Sequence, residues 1–269
     1  MTISGPSAGV GTWDKVILLG GGIYNCVDHR WMFGAIDKVK ERHPDVRLFV
    51  MGLKHPNPGV PDMRMAWETQ ELSRDLGLTG SHVFFNEGWV PYGDRADYLL
   101  DADVGVSTHF LHVETAFSFR TRILDYLWAA LPIVATDGDT FGTLIRAKGI
   151  GRVVPAEDVD ALVEALEEML YDEAAVSEVR VNVREFANGY KWSSVLQPLV
   201  EFCRFPRRAP DLALEPMTPQ PRKRIRRPRP SVREDLALAR GYLGAGGVGE
   251  VGRRAVGRVR RVVGGGNDS

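Results

Sequence analysis

The chain has 269 residues, 44% apolar and 26% charged. That is the make-up of one or two globular domains and excludes a collagen-like, mucin-like or wholly disordered chain. The net charge of −1 is unevenly divided: residues 1–203 carry 18 basic and 29 acidic side chains, whereas residues 204–269 carry 16 and 6.

An acidic body therefore precedes a basic tail, and the two are read separately. No apolar run approaches the ~20 residues of a membrane span, and MTISGPSAGVGTWDK lacks the basic-then-apolar pattern of a signal peptide. Two cysteines, Cys26 and Cys203, make no disulfide framework and lack metal-ligand spacing, which points to a reducing cytosol.

Strands and helices are predicted to alternate along the body. KVILLG (15–20) is an apolar strand running into Gly20-Gly21-Gly22, which reads as a tight turn. Residues 28–42 have helical spacing, VRLFVMG (46–52) is a strand, and 63–76 is an amphipathic helix stopped by Gly77. HVFFNE (82–87) is a strand, 94–100 a short helix, ADVGVST (102–108) a strand and 119–130 a helix. PIVATD (132–137) is a strand, 140–147 a helix, GIGRVV (149–154) a strand and 159–171 a strongly amphipathic helix. Helices near 173–187 and 192–203 follow.

Six apolar strands separated by helices predict an α/β fold: a doubly wound, mostly parallel, Rossmann-like sheet covered on both faces. Ligands of such sheets bind beyond the carboxyl ends of the strands, at the topological switch point. Three post-strand segments stand out there. The glycines at 20–22 allow close backbone approach, and their N–H groups would cradle an anion. A tight turn with no ligand is the alternative for this segment.

In the second segment, Ser118 is a good N-cap for the predicted 119–130 helix, and Asp125 lies two turns on. Arg120 and Arg122 fall in the first turns, where the dipole disfavours cations; a bound phosphate would reverse that penalty. The alternative is an Arg122–Asp125 ion pair on a solvated face. The third segment, Asn86-Glu87-Gly88-Trp89-Val90-Pro91-Tyr92, offers two aromatics for a flat base, or is simply a packed loop. His109 directly follows a strand and is a candidate for substrate contact. Asp137-Gly138-Asp139 resembles a metal motif but reads better as the cap of the next helix. Asp101-Ala102-Asp103 lies at the wrong end of its strand.

Taken together, VRLFVMG, HVFFNEGWVP, YLLDADVGVST and the block from Glu114 through DYLWAALPIVATDGD resemble the C-terminal, donor-binding domain of retaining GT-B glycosyltransferases, the group-one/family-four class. The resemblance covers roughly residues 15–203. The family pattern is a Glu, seven residues, then a second Glu; Asp125 stands in the second place and Glu114, eleven residues before it, is the nearest counterpart of the first.

The resemblance implies that Asp125 hydrogen-bonds the nucleotide ribose and that Glu114 contacts donor-sugar hydroxyls. Ser118, Phe119, Arg120 and Arg122 with Gly21 and Gly22 would hold the diphosphate, and Trp89 and Val90 would pack on the base. It also implies transfer from a nucleotide-diphosphate sugar donor to a saccharide or lipid-linked acceptor, with no cofactor and no bound metal.

A GT-B enzyme has an N-terminal domain that supplies the acceptor side of its cleft. The first strand here starts at Lys15 after a linker-like lead (1–14), so the resemblance implies a second half alone. The chain would then be either a truncated reading frame or a subunit that depends on an N-terminal partner domain encoded elsewhere. Residues 190–203 resemble the closing helices of such enzymes, and their apolar face (Val195, Leu196, Leu199, Val200, Phe202) is expected to be exposed.

The 204–269 tail has seven prolines between Pro206 and Pro230 around Arg222-Lys223-Arg224-Ile225-Arg226-Arg227. It reads as largely disordered, either solvated or drawn to an anionic membrane surface. The expected location is cytoplasmic, with peripheral attachment at the inner membrane surface as the alternative for the tail. The alternative to an enzyme is a non-catalytic nucleotide-binding or assembly module. An NAD-dependent oxidoreductase is disfavoured, because no G-x-G-x-x-G follows the first strand and no acidic residue follows the second.

Overall fold

A computed structural model describes residues 10–23, 30–53, 57, 63–86 and 88–208. Tyr24, Asn25, Cys26, Glu87 and the tail from residue 209 lie outside the described residues. Six strands form one parallel sheet: β1 (Lys15–Gly22), β2 (Val46–Gly52), β3 (Val83–Phe85), β4 (Val104–Ser107), β5 (Ile133–Thr136) and β6 (Gly151–Val154). Their order is β3-β2-β1-β4-β5-β6. Leu18 stands opposite Phe49 on β2 and Gly105 on β4, and Val134 opposite Arg152 on β6.

The helices that follow the strands are α1 (Arg30–Arg42), α2 (Arg64–Asp75), α3 (Arg95–Asp101), α4 (Val113–Phe117), α5 (Arg122–Trp128), α6 (Thr140–Lys148), α7 (Val159–Tyr171) and α8 (Glu173–Ala187). Two short helices, α9 (Trp192–Val195) and α10 (Gln197–Arg204), close the described chain. The doubly wound, parallel architecture agrees with the sequence reading.

The strands are continuous apolar runs because both faces are covered: Ile17, Leu18, Val104, Val106, Ile133 and Val134 are all buried. Helix α1 packs against α7, and α5 packs against β1, β4 and α8. Capping fixes the helix starts. Asp158 accepts from the Ala161 amide at 3.0 Å, and Asp172 from the amides of Ala174 and Ala175. At the opposite end of the sheet from the predicted site, Asp103 accepts from the Val16 amide at 2.8 Å and ties β4 to β1.

Several boundaries differ from the sequence reading, each for a local reason. Gly20–Gly22 does not form a turn after β1; the strand runs through them, with an irregularity between Leu19 and Gly22. Gly21 has φ +95°, in the region where an L side chain is strained. The predicted 119–130 helix is shorter, α5 (Arg122–Trp128) alone, and a separate helix precedes it. An unforeseen helix, α4, ends at Phe117, and Ser118 is its C-cap, donating from Oγ to the Glu114 carbonyl at 2.8 Å. Helix α5 therefore starts only at Arg122, behind Thr121, which makes no side-chain cap bond. The predicted 192–203 helix is split, with Pro198 in the first turn of its second piece.

The expected apolar face is exposed: Val195, Leu196, Leu199, Val200 and Phe202 all face solvent. No helix of the described residues is long and apolar enough to cross a membrane.

Candidate active site

The sheet order reverses between β1 and β4, and the crevice of a doubly wound sheet opens there. Two groups from the sequence reading meet at this point, and a third lies on the same helix as one of them. Arg122, at the start of α5, donates from Nη2 to the Gly22 carbonyl at 3.3 Å. A Cβ placed on Gly21 would meet the Arg122 guanidinium at an ordinary contact distance of 3.8 Å, and it is the positive φ of this residue that disfavours a side chain. Asp125, nearly one turn further along α5, faces α3, where Arg95 donates from Nη2 to its Oδ2.

The Arg122–Asp125 pair considered from sequence is thus replaced by an Arg95–Asp125 pair. The guanidinium of Arg95 also lies 5.6 Å from the centre of the Tyr92 ring. The two charged side chains are 26% and 33% exposed. Burial pushes the Asp125 carboxyl above the usual carboxylate range, and the Arg95 charge and hydrogen bond pull it part of the way back.

The chain is fastened beneath this rim by Tyr126. Its hydroxyl accepts from the Gly20 amide at 2.8 Å and lies 2.9 Å from the Val106 carbonyl and 3.2 Å from that of Leu18. The ring fills the space over Gly105, where an added Cβ would fall 2.5 Å from a ring carbon.

A second cluster lies beyond β4 and β5. Asp139 caps α6, accepting from the Gly142 amide at 2.8 Å, as the sequence reading expected of that turn. Its other oxygen lies 3.5 Å from Nε2 of His109 and 3.6 Å from Nε of Arg120. His109 is 1% exposed, so it is a buried partner of Asp139 and does not form part of the open rim. Burial alone would raise the Asp139 carboxyl, but His109, the Gly142 amide and the Arg120 charge outweigh it and hold the group below the usual range. Phe119 is half-exposed and packs on Phe141 at 4.9 Å between ring centres. Arg120 and Phe119 therefore fix the α4–α5 connection to α6.

The remaining predicted residues scatter. Ser118 caps α4 and begins no helix, so it offers no helix N-terminus to a phosphate. Glu114 is exposed on α4, a different helix from Asp125, and its amide is taken by Nδ1 of His112 at 3.2 Å. In the loop after β3, Val90 is buried while Trp89 is 59% exposed. Asn86 shapes that loop by donating to the carbonyls of Met51 and Gly88.

The sequence reading missed Arg95, Tyr126 and the His109–Asp139–Arg120 contacts. Only Arg95 left a signal, being a cation at the first residue of a helix, where the dipole is unfavourable without a partner. Among the described residues, no group of three or more His, Cys, Asp or Glu side chains is placed to hold a metal ion.

The family model for glycosyl transferases group 1 matches residues 14–172. The phosphatidyl-myo-inositol mannosyltransferase of Mycolicibacterium smegmatis is 26% identical over 164 residues, covering 61% of this chain and 38% of the relative. The chain thus spans about two-fifths of the length of the curated relatives it matches.

Among solved structures, the C-terminal domain of a group 1 glycosyl transferase (LpcC) from Francisella tularensis superposes with TM-score 0.55 at 16% identity, covering 66% of this chain and 87% of that one. Anabaena HepE, solved with UDP and glucose, gives TM-score 0.57 at 14% identity, covering 71% and 49%. These likenesses show the fold.

Proposed function

We propose, given that the chain belongs to the glycosyl transferases group 1 family, that its described domain binds a nucleotide-diphosphate sugar donor. In this reading it serves transfer of the sugar to a saccharide or lipid-linked acceptor. The observation that carries the reading is the approach of Arg122 to Gly21 and Gly22 at the end of β1, with the Arg95–Asp125 pair nearly one turn further along α5. The relative solved with UDP and glucose supports a donor of this class.

Arg122 and the amides of the glycine segment offer hydrogen-bond donors to the diphosphate, and Asp125 offers an acceptor to ribose hydroxyls. Trp89 and Val90 would take the base. Charge builds on the diphosphate as the sugar leaves, and preorganised cationic and N–H donors stabilise it. In the same reading the sugar configuration is retained, and the arginine guanidiniums supply the positive charge without a metal or cofactor.

The acceptor side of the cleft would come from a second domain. The partial coverage of the relatives and the exposed apolar face of α10 support that view. The basic residues of 204–269 would draw the protein to an anionic membrane surface on the cytoplasmic side.

One observation favours the second reading, a nucleotide-binding module without transfer. The residue eight before Asp125, where the family pattern sets its first carboxylate, is Phe117, and it is 86% exposed.

The test is thermal denaturation of the full chain with saturating GDP, UDP or ADP. Binding at ~100 times the dissociation constant adds ~2.7 kcal/mol of stability, and one of the three is expected to raise the Tm. An unchanged Tm with all three overturns the reading.

A further inference from the structure

We infer that Arg95 is a positioning residue of the donor site, holding the Asp125 carboxylate in the orientation that accepts hydrogen bonds from ribose hydroxyls. The inference rests on the donor reading above and goes beyond it, since the family pattern around Asp125 gives α3 no role.

The first observation is local. Arg95 opens α3, and a cation there faces the positive end of the helix dipole. Its charge is offset by Asp125, thirty residues away in sequence and on another helix. The half-buried pair joins the element after β3 to the element after β4. A guanidinium also carries several N–H donors in a rigid plane, so Arg95 orients the carboxylate as well as neutralising it.

The second observation is the acceptor capacity left over. An ionised carboxylate has about four lone-pair sites, and Arg95 reaches Oδ2. Oδ1 and the remaining lone pair of Oδ2 suffice for the two hydroxyls of a ribose.

The third is the surroundings of Asp125. On its own helix, Arg122 extends to the Gly22 carbonyl and Tyr126 is buried with its hydroxyl against β1 and β4. On α8, which packs against α5, Arg180 donates to the Asp103 carbonyl. Arg95 from α3 is the group whose charge and hydrogen bond act on Asp125. Without it, burial would act unopposed, and the carboxyl would take up a proton at a higher pH. A protonated Asp125 loses its charge and part of its acceptor capacity.

The experiment is calorimetric titration of the full chain with GDP, UDP and ADP, between about pH 5 and about pH 8. It compares wild type, Arg95→Ala, Arg95→Lys and the double variant Arg95→Ala/Asp125→Asn. Wild-type affinity is expected to follow the titration of the nucleotide's own terminal phosphate across this range. Arg95→Ala is expected to bind several-fold more weakly at about pH 8 and to lose further affinity, beyond the wild-type change, on going to about pH 5, as Asp125 takes up a proton. Arg95→Lys should restore the wild-type profile with only part of the affinity. The double variant should be weak, with no pH dependence beyond that of the nucleotide, because Asn does not titrate.

Wild-type affinity in Arg95→Ala at every pH overturns the inference and leaves the donor reading intact. A uniform loss with no added pH dependence also overturns it, since that is the mark of a merely structural residue. If wild type binds none of the three nucleotides, the donor reading falls first and this inference with it.

Discussion

The Gly20 amide donates to the Tyr126 hydroxyl at 2.8 Å, so α5 is pinned to β1 at the point where the glycine segment begins. The same hydroxyl lies within 2.9 Å of the Val106 carbonyl on β4. One buried phenol thus joins the two strands that flank the crevice, and burial pushes its pKa up to about 12. Tyr126→Phe keeps the ring and removes the hydroxyl, leaving the Gly20 amide without this partner. The expected loss is ~1–3 kcal/mol, the cost of an unsatisfied buried polar group. Urea denaturation monitored by circular dichroism measures it. Gly105→Ala is expected to be worse, since its Cβ would fall inside contact distance of the same ring.

Asp139 is expected to contribute to the acid limb of stability. Its folded-state pKa lies below the ordinary value, so its contribution is present above the ordinary carboxylate range and is lost as pH falls through the depressed value. Asp139→Asn preserves a good N-cap but leaves Arg120 and His109 without their charged partner. The expected cost near neutral pH is about 3 kcal/mol, the lower end for breaking a buried pair. The variant's stability should fall less steeply than wild type's below about pH 4. Equal acid limbs in the two proteins would show that Asp139 is not the group responsible.

Arg122 and Arg146 make a matched comparison. Arg122 reaches the Gly22 carbonyl at the crevice, whereas Arg146 pairs with Asp137 in an exposed bidentate contact. Arg122→Ala should weaken nucleoside diphosphate binding by ~1.5–3 kcal/mol, the range for a charged hydrogen bond. Arg146→Ala should leave affinity unchanged and stability lower by at most ~1 kcal/mol, as for an exposed ion pair. Equal effects of the two on affinity would count against a specific role for Arg122.

Legibility in the sequence followed the range of the interactions. The β strands and α7 were readable because apolar runs, Gly stops and Asp caps act over a few residues. Asp125 and Arg122 could be placed together because they lie on one predicted helix. The start of that helix was misplaced because Ser118 satisfies the end of α4 through a bond to Glu114, a use no cap rule distinguishes in advance. Arg95, Tyr126 and the His109–Asp139 contact join elements tens of residues apart, and no local periodicity records such pairings. The exposed face of α10 was legible from its apolar spacing, since exposure there needs no long-range partner.

The central claim is that Asp125 accepts hydrogen bonds from the donor's ribose, and Asp125→Asn tests it most directly. The substitution keeps the shape and removes the charge. Calorimetric titration of the full chain with the nucleoside diphosphate that stabilises wild type should show affinity reduced by ~1.5–3 kcal/mol, with the fold intact by circular dichroism. Wild-type affinity in the variant, whether or not its stability changes, would contradict the claim and leave Asp125 as an ion-pair partner of Arg95.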